Sequence, residues 1–169
     1  MTLTAEKNIS FEDAIALTQN FVAQLDSLSE PEKENTVTSL VASENGARGF
    51  FVTYLTSDDE VVDQESAGIV AGLKTSPEIV SELLVKNVAM STAMKITHLK
   101  NDNEQMARNS QRVTQRSLKF LEQLDLEVSK TKIQQLQDTI ANNDGIYHKF
   151  LTRWKYDDEQ KQAMVKAFQ

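Results

Sequence analysis

The sequence predicts an all-α protein: a single-domain bundle over residues 1–169, with about seven to nine helices around a central helix near 77–99. Three observations carry that expectation. Chain punctuation is sparse, with five Gly and two Pro in 169 residues, whereas a β-rich chain needs a tight turn between each pair of strands. Apolar residues recur at helical spacing almost throughout. Helix-capping residues stand where the apolar runs begin.

The first helix is expected from Ser10, which has Asp13 three residues on, close to a capping box. Phe11, Ala14, Ile15, Thr18, Phe21, Val22 and Leu25 then share one stripe. Ser29 offers the next cap, with Pro31 and Glu32 in a first turn that tolerates proline and favours acid. Val37, Leu40 and Val41 follow at helical spacing. Asn45-Gly46 reads as a left-handed helix stop. Residues 47–55 are ambiguous. Phe50, Phe51, Tyr54 and Leu55 suit a buried helix face, while Phe-Phe-Val-Thr-Tyr has strand propensity. Helix is preferred, since no partner strand is visible. Residues 56–65 form an acidic loop. Ala67 to Leu73 is a short helix loosened by Gly68 and Gly72.

Ser76-Pro77-Glu78 is the strongest helix start in the chain. The helix it opens is apolar nearly all round, from Ile79 and Val80 to Ile96 and Leu99, as expected of an element covered on most sides. After a polar turn, further helices are expected from about Glu104 to Leu124 and from about Val128 to Ala141. The latter should stop at Asn142-Asn143-Asp144-Gly145. Ile146 to Trp154 is a short aromatic helix, and Asp157 caps the last one.

Composition excludes much chemistry. With no cysteine, the chain has no disulfide, thiolate nucleophile or thiolate metal ligand. His98 and His148 are the two histidines. Neither completes Glu-x-x-His or His-Glu-x-x-His, so no metal site is nominated. Ser91 and His98 are separated by about 10 Å of helical rise, too far for a direct hydrogen bond. Gly46-Ala-Arg-Gly49 lacks the ending and the preceding strand of a phosphate loop. Glu78 and Glu82 are four apart on a helix and read as exposed charge. No catalytic residue and no cofactor is nominated. There is no basic-then-apolar leader and no clean membrane span, so a cytoplasmic protein is expected.

The formal charge is −7, which argues against general nucleic-acid binding. It is very uneven. Residues 1–80 sum to −10 and residues 81–169 to +3. Within the second part, Arg108, Arg112, Arg116 and Lys119 span an arc of about 80° at 100° per residue. Met106, Val113, Phe120, Leu121 and Leu124 occupy the other side. The helix is therefore expected to turn a guanidinium ladder outward, suited to carboxylate or phosphate. A second candidate surface is the aromatic stripe Tyr147, Phe150, Leu151, Trp154. It suits core docking, or a contact with a partner, where Trp, Tyr and Arg dominate. Asn87, Ser91, Met94 and His98 on the central helix are candidates for a small apolar or anionic ligand pocket. The favoured function is a non-enzymatic protein-interaction module, with a homodimer as one form of it, through the arginine face, the aromatic cluster or both. The alternative is a small-ligand-binding domain.

Overall fold

The computed structural model describes residues 3–169. Among them the chain is 77% helical and contains nine α-helices and no strand. In order these are α1 (Phe11–Ala23), α2 (Glu30–Val41), α3 (Glu44–Thr56), α4 (Ala67–Leu73), α5 (Pro77–Lys100), α6 (Glu104–Leu124), α7 (Glu127–Asn142), α8 (His148–Arg153) and α9 (Asp158–Ala167). The ambiguous 47–55 stretch is helical. The chain divides into two compact units.

The first unit comprises residues up to Leu83 with Glu122–Leu124. Here α1 packs along α3, and α2 along α4. The caps are side-chain groups satisfying the orphan amides of each first turn. The Ser10 hydroxyl accepts from Asp13 N, and Ser29 and Glu32 form a reciprocal capping box. Phe21, Phe50, Phe51 and Tyr54 are fully buried. Phe50 stacks on Tyr54 with centroids 5.1 Å apart and meets Phe51 edge-on at 5.2 Å. The Tyr54 hydroxyl donates to Val62 O at 3.0 Å. That bond pins a 3-10 turn, Glu60–Asp63, in the segment expected to be plain loop.

Asn45-Gly46 does not stop a helix. Both residues lie in the first turn of α3, whose cap is Ser43. The glycine is there for space: a Cβ on Gly46 would stand 2.0 Å from Leu40 O. Gly68 in α4 does the same, with its notional Cβ 2.1 Å from Glu30 O. The glycines of α4 therefore bring it close to α2 and do more than loosen it. Glu30 closes that contact. Its carboxylate accepts from Ser66 Oγ at 2.6 Å and from Gly68 N at 2.7 Å, and pairs with Lys33 at 3.1 Å. The hydrogen bond from Ser66, then that from Gly68, hold its pKa down to about 2.

The second unit comprises Leu84–Leu121 and Asp125–Gln169. Asp125 and Asn143 take left-handed conformations, with φ of 46° and 52°, and end α6 and α7. Asp157 caps α9 in a capping box with Gln160. Gln160 also ties α9 to α5. Its side-chain amide donates to Ala93 O at 3.2 Å and to Thr97 Oγ1 at 3.1 Å. Lys100 and Glu159 pair beside it at 2.7 Å. Along α5, Val80, Leu84, Val85, Val88, Ala89 and Ala93 are buried, whereas Glu82, Lys86, Asn87 and Met90 are half-buried and Met94 and Leu99 are exposed, so burial is not all-round.

Candidate functional site

The structure separates the four cations of the proposed ladder. Arg108 and Lys119 are exposed, Arg112 is half-buried, and Arg116 is only 6% exposed. The expectation of a continuous outward ladder is therefore corrected at Arg116. The reason lies in its register. Arg116 is three residues after Val113 and four before Phe120, so it stands beside the apolar stripe on the same flank. Phe120, Leu121 and Leu124 are buried on that helix, and Ala107 and Ser117 with them. The buried arc is wider than the apolar residues alone suggest. Arg108 pairs with Glu104 at 3.7 Å and hydrogen-bonds Gln105 at 3.0 Å, and Arg112 donates to Asn109 at 3.2 Å. Met106, expected to face inward, is exposed. It sits in the first turn, where Glu104 and Gln105 are exposed as well.

The pocket candidates on α5 differ in burial, from buried Ser91 through half-buried Asn87 and His98 to exposed Met94. Ser91 is buried and bonded, its hydroxyl donating to Asn87 O at 2.6 Å and accepting from Thr114 Oγ1 at 2.6 Å. That bond joins α5 to α6. Met94 is exposed. His98 lies in the last turns of α5, and its carbonyl accepts from Asn103 N at 2.8 Å.

The aromatic stripe divides in two. Tyr147 and Leu151 are buried, and Tyr147 meets Phe150 edge-on at 6.4 Å. Lys86 stands over the Phe150 ring at 5.5 Å. Trp154, the only tryptophan of the chain, is 50% exposed. It follows α8 as its cap, with the Arg153 guanidinium 5.4 Å from its ring centroid. Ile146, Lys149 and Lys155 are exposed too. Residues 145–156 contain three Lys or Arg and no Asp or Glu, with exposed Asp144 before them and exposed Asp157, Asp158 and Glu159 after. Burial of the neighbouring Tyr156 pushes its phenol up to about 12, so it adds no negative charge near neutral pH. The result is a basic, aromatic surface carried by a short helix.

A feature that the residue pattern did not reveal lies in the first unit. An open groove of about 540 Å³ runs between α1 and α3. Its apolar walls are Ile15, Val22, Ala23 and Val52, with Gln19, Thr53 and Thr56 among them, and it ends at Asp58 and Asp59. No cation lines it. Val52 is 44% exposed. The acidic end is held in place. Asp59 N donates to Ser57 Oγ at 3.1 Å, Asp59 Oδ1 accepts from Val61 N at 3.0 Å, and Val61 and Val62 are buried. The signal in the sequence was an apolar residue, Val52, on the outer side of α3, just before an acidic loop.

Among the described residues, no cluster of three or more His, Cys, Asp or Glu side chains is placed to hold a metal ion. Nor is any helix among them long and apolar enough to cross a membrane. These features describe an all-helical protein with an exposed basic aromatic surface and a groove with an acidic end. The chain belongs to the family described as uncharacterised conserved protein UCP020893, whose model matches residues 10–169. No curated protein and no solved structure matches the chain.

Proposed function

We propose that the protein is a cytoplasmic, non-enzymatic helical interaction module whose contact surface is the basic aromatic patch on and around α8. The observation that carries this reading is the half-exposed Trp154 beneath the Arg153 guanidinium. Tryptophan and arginine contribute most to protein contacts, because each combines a large desolvated area with a directional polar group. An exposed cation–π pair keeps both side chains pre-arranged before a partner arrives. Lys149 and Lys155 extend the positive field, so the preferred partner surface is acidic. Arg108 and Lys119 on α6 are the cations of the arginine face that remain exposed, and they support the same preference. Tyr147 belongs to the foundation of the patch, since it is buried. The small-ligand alternative would use Asn87, Ser91, Met94 and His98, of which Ser91 is already hydrogen-bonded to Asn87 O and Thr114.

The test is comparative capture. The wild-type protein and an Arg153→Glu/Trp154→Ala variant are immobilised and exposed to native cell extract. The reading expects a protein, either this chain or another, retained by the wild type and lost from the folded variant. Retention of the same proteins on both surfaces, or of none on either, contradicts it.

A further inference from the structure

We infer that the α8 patch docks on a second copy of this chain, with Trp154 of one copy seated in the α1/α3 groove of the other. The inference rests on the interaction-module reading and names its partner. The two surfaces complement each other in polarity and charge. The groove is open and about 540 Å³ in volume, so it has room for an inserted aromatic side chain. Burying an indole removes about 150–250 Å² from water. Val22 and Val52 offer apolar wall, and Gln19 offers an acceptor for the indole N–H. The carboxylates of Asp58 and Asp59 stand at one end, on a turn pinned by the Tyr54–Val62 bond. Arg153 and Lys155 flank Trp154 in sequence, so an indole entering the groove brings cations toward its acidic end.

Charge selects the same pairing over its alternatives. Residues 1–80 sum to −10, and the 145–156 segment holds cations without acids. Patch against patch brings like charges together, and so does groove against groove. Patch against groove is favourable. The contact is heterologous, because the two surfaces are different parts of the chain. After one such contact one copy retains an unused groove and the other an unused patch, unless reciprocal pairing or a larger ring closes the assembly.

Two single variants test this directly. Trp154→Ala removes the inserted group, and Val52→Lys places a cation in the groove at an exposed helical position. Sedimentation velocity should show the wild type self-associating. Each variant alone should associate roughly thirtyfold more weakly, the loss expected for a hot-spot residue. Each variant lacks one surface and keeps the other. An equimolar mixture should therefore form a one-to-one complex that grows no further, with a blue shift of the Trp154 emission. Circular dichroism confirms that both variants are folded. Folded variants that fail to pair overturn the inference. So does undiminished self-association of Val52→Lys. A wild type that stays monomeric, while capture retains a different protein through Trp154, overturns the inference and leaves the interaction-module reading standing. Failure of both experiments removes both.

Discussion

At the scale of single residues, Glu30 shows how one side chain joins two helices. Its carboxylate is shared among Ser66, Gly68 and Lys33, and the hydrogen bonds from Ser66 and Gly68 lower its pKa from 4.5 to about 2. A carboxylate whose folded pKa is depressed contributes stability above its unfolded value, and loses it as pH falls through the folded one. The contribution is therefore complete above about pH 4.5 and lost progressively toward pH 2. The side chain is 46% exposed, so solvent screens much of the ionic part. Glu30→Gln should lower stability at pH 7 by about 1 kcal/mol, the worth of a hydrogen bond to a charged group after that screening. It should also flatten the decline between pH 4.5 and 2. Urea titrations of both proteins across that range measure the difference. Identical pH dependence would contradict the assigned role. Trp154 is the opposite kind of residue. Its partial exposure follows from its place beyond the last residue of α8, while Tyr147 and Leu151, on the inner side, are buried.

At the scale of elements, the helix starts were legible because capping is local chemistry. Ser10, Ser29 and Asp157 do what their side chains allow within three residues. The bounds of α6 agree with the sequence expectation for the same reason. Asn45-Gly46 misled because glycine has two uses that look alike in sequence. One is freedom to end a helix, and the other is absence of a Cβ where another backbone approaches. Only the second operates here. Gly46→Ala and Gly68→Ala should therefore destabilise, despite the helix propensity of alanine, by about 1–3 kcal/mol from overpacking. Thermal unfolding measures this, and a gain in either melting temperature would contradict the close approach. Arg116 misled for another reason. Periodicity gives an angle around the helix, but not how wide an arc its neighbours cover. Arg116→Glu should destabilise strongly, by about 3 kcal/mol or more, since it reverses a buried charge. Arg108→Glu should change stability by no more than about 0.5 kcal/mol. Equal effects of the two substitutions would contradict the burial difference.

At the scale of the whole molecule, the fold class was legible and the site only in part. An all-helical chain followed from its punctuation and spacing. The basic aromatic patch was half visible, since Trp154 was singled out as a possible contact but shared its stripe with residues that prove buried. The groove was not visible, because Asp58 and Asp59 meet Ile15 and Val22 only after α1 and α3 have packed together. The uneven charge acquires a physical role in this arrangement. It sets which surfaces attract and which repel between copies, and it makes the attraction sensitive to salt. Residues 143–169 supply buried Tyr147, Leu151, Gln160 and Met164. Truncation before Asn143 should accordingly abolish cooperative unfolding by calorimetry, and a cooperative transition in the shortened chain would contradict that dependence.

Self-association through the patch and the groove is the proposal on which the salt dependence bears. Its most direct test is light scattering of the wild-type protein across a concentration series, at about 50 mM and about 500 mM salt, conditions between which screening of surface charges changes substantially. The expected result is a mass that rises with concentration at low salt and falls back toward 19.0 kDa at high salt. A mass that stays at 19.0 kDa throughout, or that rises with added salt, would contradict it.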